Sequence, residues 1–206
     1  MAVVANDRRI REKKIGRVGP NAIIRVADAL REQVGDSGTA RLFRSAGLDR
    51  YLAVPPRQMV DEREVNRLHQ VLRSELGLER ARWISRAAGL ATGEYLLAHR
   101  IPSAAQVILR ALPSRLASRM LLSSVRRHAW TFSGSGAFTA QTGRPLRIWI
   151  SGCPVCGESV AHQPLCDYYA ATFQQLFRAL VDPKVIVRET ECEAMGAEAC
   201  LFEVQW

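Results

Sequence analysis

Six side chains from Cys153 onward carry donor atoms suited to metal chemistry. The stretch ETECEAMGAEACLFE, residues 189–203, sets Glu189 three residues before Cys192 and Cys200 eight after it, around Gly196. Cys166 precedes a helical pattern, and CPVCG at 153–157 supplies the two remaining thiols of a five-cysteine chain. No secretory apolar stretch opens the sequence, so the expected compartment is the reducing cytoplasm, where thiols are read as metal ligands or free cysteines before disulfides. Cys166, Glu189, Cys192 and Cys200 make a closed tetrahedral set for zinc, and a site without an open position is structural, not catalytic. The Cys-Pro-x-Cys-Gly turn is itself a metal knuckle, so Cys153 and Cys156 are alternative contributors, paired with Cys192 and Cys200. An iron–sulfur cluster is a third reading, although the spacings fit neither common ferredoxin pattern. Inert buried cysteines are the fourth.

Placing these donors requires particular elements. Cys192 ends one expected strand and Cys200 begins the next, which brings both sulfurs to one end of a hairpin. Glu189 is an odd number of residues from Cys192, so a regular strand would point the two to opposite faces. A bulge or strand twist must turn one of them if they are to share an ion. Cys166 at a helix start is expected to feel the helix dipole, which favours thiolate.

Residues 1–18 are charged and aperiodic and read as a basic N-terminal arm; residues 19–206 read as a single domain, mainly helical over 19–127 and a sheet with one helix over 128–206. A helix begins near Asn21 with Gly35 as its stop, and a short one covers Thr39 to Ala46. Asp61 caps a helix with Val65, Leu68, Leu72 and Leu76 on its buried stripe. A long helix with small residues on one side runs to Pro102, and two more follow, Ser103 to Leu112 and Pro113 to Arg127. HAWTFSGSGAFTA and PLRIWISG read as a hairpin of strands. A helix with Tyr169, Phe173, Leu176 and Leu180 on one face comes next, then two closing strands. Hairpins on either side of a helix specify an α+β fold in which a helical N-terminal half packs with an antiparallel sheet.

The net charge of +9 is concentrated: no Asp or Glu lies between Glu94 and Glu158, while eight arginines do. Such a face is either plain solvated surface or a site that draws an acidic ligand, an anionic membrane surface or an acidic protein. No helix-turn-helix, zinc-finger or aromatic-basic RNA pattern accompanies it, so nucleic acid is not expected as a partner.

The run Glu-x-x-Cys-x-x-x-Gly-x-x-x-Cys-x-Phe, here Glu189, Cys192, Gly196, Cys200 and Phe202, preceded by Cys166, a helix and a strand, resembles the 4-vinyl-reductase domain family. HAWTFSGSG and the helical first half are similar to its bacteriochlorophyll-biosynthesis branch. The resemblance covers most of the chain from Gly19 onward. It implies the fold of trafficking-complex subunits and phenol-sensor ligand-binding domains, with helices and sheet enclosing an apolar small-molecule pocket, often in a homodimer. It also implies zinc on Cys166, Glu189, Cys192 and Cys200; CPVCG lies outside the shared pattern.

The family name implies reduction of a tetrapyrrole vinyl group, but no nucleotide-cofactor motif is present. SGSGAF at 133–138 lies in an expected hairpin, not at a strand-to-helix turn that would seat a pyrophosphate. The reading favoured is an accessory carrier of a magnesium tetrapyrrole, a porphyrin or chlorophyllide intermediate, which it hands to enzymes of the bacteriochlorophyll pathway. The alternatives are an 8-vinyl reductase with an external electron donor and a small-molecule-sensing interaction module. Trp130, Phe132 and Trp149 are expected to wall the macrocycle, with Trp83, Tyr95 and Phe138 as further aromatic candidates. Arg126 and Arg127 are expected to meet its acidic groups, and His99 or His128 its magnesium. Peripheral membrane contact is also expected.

Overall fold

A computed structural model describes residues 16–206. Residues 1–15 of the expected arm lie outside the described residues. Its last two, Arg17–Val18, form strand β1, which pairs antiparallel with β2, Val60–Asp61, and buries Val18.

Helix α1, Asn21–Ser45, buries Ile23, Val26, Ala27 and Leu30 on its first half and Leu42 and Phe43 on its second. Between the halves Gly35 adopts φ 69°, ψ 178°, a left-handed φ that glycine takes without strain. The expected stop is therefore a kink joining both expected helices. After the short α2, Arg50–Ala53, the side chain of Asp61 accepts from the Arg63 backbone N–H at 2.8 Å and starts α3, Glu62–Leu76. Helix α4, Leu78–His99, packs its small residues against α7, Asp167–Leu180. A Cβ on Gly89 would lie 2.2 Å from the Tyr168 carbonyl oxygen, so the two backbones approach as closely as the absence of a side chain permits. Thr172 Oγ1 donates to the Gly89 carbonyl at 3.0 Å across this contact. Helices α5, Ser103–Ala111, and α6, Ser114–Arg127, lie where the proline spacing predicts.

Residues 128–136 depart from the expected strand. Ala129–Thr131 forms a single 3-10 turn, Gly134 has φ 60°, and strand β3 spans only Ala137–Gln141. Local bonds account for this: the Ser133 hydroxyl and backbone N–H both donate to the Ala129 carbonyl, and Gly19 N–H donates to the Thr131 carbonyl. A serine that satisfies its own turn in this way withdraws the segment from a sheet ladder.

The sheet has the order β3-β4-β6-β5, with β4 Leu146–Ser151, β5 Ile186–Glu191 and β6 Cys200–Gln205, and every neighbouring pair antiparallel. Leu146, Ile148 and Ile150 alternate inward with Phe202 and Val204 opposite, while Arg147, Trp149 and Glu203 face outward. Helix α7 covers the inner face with Tyr169, Phe173, Leu176 and Leu180, all buried. The enclosed pocket expected from the resemblance does not stand open there. Phe132, Phe138, Tyr169, Phe173 and Phe202 fill the space with ring centroids 5.6–6.5 Å apart.

Candidate metal centre

The donors converge at the end of the sheet where β4 leaves toward α7 and the β5–β6 connection turns. A bulge between Glu189 and Glu191 puts Glu189 opposite Phe202 and Glu191 opposite Leu201. Thr190 is thus the extra residue that restores Cys192 to the face Glu189 already occupies. Gly196, at φ 91°, turns the chain back so that Cys200 opens β6. Cys166 is the residue before α7, and the Arg82 guanidinium forks onto Asp167 beside it at 3.0 and 3.4 Å, tying this corner to α4.

All five cysteines are free and buried. Among the described residues, the donor atoms of Cys166, Glu189, Cys192 and Cys200 all lie within 4.8 Å of one another, and so do those of Cys153, Cys156, Cys166 and Cys200. The first is the family-type set. The second corrects the alternative read from the sequence, because the knuckle joins Cys166 and Cys200 and not Cys192 and Cys200. Folding of the 157–165 loop brings the knuckle over the helix start, a placement that spacing alone does not encode.

The Sγ···Sγ distances test what these thiols fit. They are 3.4 Å for Cys153–Cys166, 3.5 Å for Cys156–Cys200, 3.6 Å for Cys166–Cys200 and 3.8 Å for Cys192–Cys200. A tetrahedron with metal–sulfur bonds of about 2.3 Å has edges of about 3.8 Å, so the sulfurs are spaced for single tetrahedral ions. They are too close to span an iron–sulfur cluster and too far apart for disulfides.

The electrostatics agree with a cation. Glu189 Oε2 accepts from the Cys166 N–H at 2.7 Å, whereas its Oε1 is buried without a partner. Burial, reinforced by Cys192, pushes the Glu189 carboxyl up to about 9, so without an ion it holds its proton at neutral pH. Burial also raises Cys153 and, well above the ordinary thiol value, Cys166. This corrects the dipole expectation for Cys166: desolvation in a closed pocket outweighs the helix start. Cys156 is lowered by hydrogen bonds from neighbouring thiols.

Residues that the spacing did not reveal complete the surroundings. Glu193 accepts from the Gly152 and Cys153 N–H groups at 2.6 and 2.8 Å and so holds the knuckle. Arg73 donates to Ser159 Oγ at 2.9 Å, and the thiolates oppose the lowering that burial imposes on it. Fully buried His69 is kept neutral, lowered to about 3 by desolvation and then by Arg73. Its Nδ1 meets Ser85 Oγ at 3.3 Å and its Nε2 has no partner.

The residues expected to touch a pigment do not gather in one place. Phe132 is part of the inner aromatic cluster. Trp149 is on the outer sheet face, in an open depression of about 460 Å³ with Ala137, Thr139, Ser151, Glu198 and Ala199. His99 packs against Tyr95 at the end of α4, with ring centroids 4.8 Å apart and the planes tilted by 45°. Arg126 donates to the Ala140 carbonyl at 3.1 Å, Arg127 lies against Ser123, His128 Nδ1 meets the Ser124 carbonyl, and Trp130 is exposed. A second open depression of about 270 Å³ is lined by Arg115, Ser118, Arg119, Thr142, Gly143, Arg144, Leu146 and Trp206. Its arginines belong to the acid-free interval, the signal by which they could have been singled out.

Known proteins share both the sequence and the fold. Residues 146–205 match the V4R domain. The chain is 44% identical over 188 residues to the bacteriochlorophyll synthase 23 kDa chain of Cereibacter sphaeroides, covering 91% of this chain and 90% of that one. The phenol-responsive sensory domain of the transcription activator PoxR superposes with a TM-score of 0.51 at 19% identity, over 72% of this chain and 79% of its own. A member of the H-NOX family superposes with a TM-score of 0.58 at 13% identity, over 92% and 95%. Those two likenesses concern the fold, whereas the first concerns descent: the chain belongs to the V4R-domain family, alongside the bacteriochlorophyll synthase 23 kDa chains.

Proposed function

We propose that this chain is an accessory protein of bacteriochlorophyll biosynthesis that binds a magnesium tetrapyrrole intermediate and delivers it to pathway enzymes, with zinc as a structural pin. Its kinship with the bacteriochlorophyll synthase 23 kDa chain supports the pathway. The observation that carries the ligand reading is the arginine-lined depression beside α6. Arg115, Arg119 and Arg126 fall on one side of that helix, toward the β3–β4 hairpin, and Arg144 and Trp206 close the depression. Among the described residues, Arg115, Arg119 and Arg144 have no carboxylate partner, so an acidic ligand edge would relieve their mutual repulsion. The exposed Leu116 and Met120 lie on the adjoining stripe of α6, where an apolar macrocycle can rest. Arg126 extends the same side of α6 to β3, where it donates to the Ala140 carbonyl.

Zinc would be held by the buried thiolates and Glu189, where it supplies folding free energy and leaves no coordination position for a substrate. No described helix is long and apolar enough to cross a membrane. Exposed Val107, Ile108, Leu116 and Met120 among arginines support peripheral contact with an anionic surface. Pathway enzymes and a second copy of the chain are the protein partners expected.

Titration with a divinyl magnesium chlorophyllide, with and without NADPH, tests the reading. A shift of the pigment's absorption with its vinyl groups intact is the expected result. No shift sinks the carrier reading, and loss of the 8-vinyl group only with NADPH replaces it with the reductase.

A further inference from the structure

Six donor atoms surround a centre at which one tetrahedral ion uses four. They divide into three pairs: Cys153 and Cys156 on the knuckle, Cys192 and Glu189 on the bulged strand, and Cys166 with Cys200 between them. The middle pair belongs to both four-donor sets. Either set filled alone leaves an unmatched remainder. An ion on the family-type set leaves the Cys153 and Cys156 thiols fully buried, 3.4 and 3.5 Å from sulfurs already ligating. An ion on the all-cysteine set leaves Glu189 Oε1 buried with no partner.

We infer that the chain holds two divalent ions as a thiolate-bridged pair: one on Cys153 and Cys156, the other on Cys192 and Glu189, with Cys166 and Cys200 shared by both. Two tetrahedra that share an edge need six donors, the same economy that lets Zn₂Cys₆ modules hold two ions on six cysteines. The shared edge is in place, since Cys166 and Cys200 are 3.6 Å apart. Charge does not oppose the second ion. One divalent ion on four thiolates carries a net charge of about −2, and two ions on five thiolates and a carboxylate carry the same, because each added ligand gives up its proton to solvent. The Arg73 guanidinium donates to the Val155 carbonyl inside the knuckle at 3.4 Å, which sets a positive charge beside it, and Glu193 holds the knuckle where the second ion needs it. The inference rests on the structural-zinc reading for one ion and adds the other.

Metal analysis and native mass spectrometry of the full chain purified with zinc test it. The expected result is two zinc ions per chain, falling to one in Cys153→Ser/Cys156→Ser and to one in Glu189→Gln/Cys192→Ser. Zinc-edge X-ray absorption of the unmodified protein should show a metal–metal vector near 3 Å, the separation that bonds of about 2.3 Å impose across the shared edge. This measurement decides the matter alone if the variants precipitate. One ion per chain overturns the pair and leaves the single structural zinc standing. No bound ion overturns both, and a knuckle variant that keeps the wild-type count also overturns the pair.

Discussion

Glu189 and Cys192 stand three residues apart on one strand yet present their donor atoms to the same side of the sheet, because the bulge between Glu189 and Glu191 inserts one unpaired residue. The carboxylate is thereby buried against the Cys166 N–H with one oxygen unpartnered. A cation held there would join the last hairpin to the start of α7, and so link the sheet to the helix that covers it.

Cys200→Ser should abolish stable folding, since Cys200 lies within 3.8 Å of three other sulfurs and belongs to both donor sets. Structural zinc contributes folding free energy directly, so metal stripping of the wild type should lower its melting temperature sharply. Unchanged melting after chelation, checked by calorimetry, would contradict a structural role.

Glu193→Gln should weaken metal binding while the chain stays folded. Its carboxylate accepts the Gly152 and Cys153 backbone N–H groups at the start of the knuckle and meets the Cys156 thiol at 3.9 Å. Loss of an outer support of this kind costs about 10- to 100-fold in metal affinity, measurable by competition with a chromophoric chelator.

His69 gives a pH dependence of known sign. Its folded value of about 3 lies below the unfolded 6.5, so between these values the unfolded chain takes up a proton that the folded chain refuses. Stability is complete above about pH 6.5 and falls as the pH drops, by roughly 1.4 kcal/mol per pH unit once well below it. His69→Gln should remove this component. Urea unfolding of both proteins at pH 7 and pH 5 should show the wild type losing more; equal losses would mean that the imidazole is not excluded from water.

Gly89→Ala should destabilise the chain even though alanine favours a helix by about 1 kcal/mol. The new methyl would sit 2.2 Å from the Tyr168 carbonyl oxygen, on backbone that can yield only by separating α4 from α7. Overpacking of this kind costs typically 1–3 kcal/mol, read as a lower unfolding midpoint. A raised midpoint would mean that the helices part easily.

Arg115→Glu with Arg119→Glu should weaken binding of a carboxylate-bearing tetrapyrrole at least tenfold without unfolding the chain, since charge-assisted contacts carry about 1.5–3 kcal/mol each. Arg126→Glu with Arg127→Glu should weaken it less, because Arg126 already donates to the Ala140 carbonyl. Unchanged affinity in both would reduce this face to solvated surface.

Periodicity and punctuation were enough to place most elements. Asp61 starts its helix, the prolines separate α4, α5 and α6, and the aromatic stripe of α7 lies on the sheet, because caps, proline geometry and burial of one face act over a few residues. Parity showed that Glu189 and Cys192 could share an ion only through a bulge or a twist of the strand, and the fold uses a bulge. The segment 128–136 was misread because its aromatic alternation imitates a strand, while Ser133 and two glycines close a turn.

What tertiary structure decided were the distances between elements remote in sequence. No local rule brings Cys153 and Cys156 to Cys166 and Cys200, packs five aromatic rings where a pocket was expected, or sets Arg144 and Trp206 beside Arg115 and Arg119. A chain's sequence specifies its own turns through short-range sterics and hydrogen bonds. Which distant donors share a centre is settled only when the whole core closes around them.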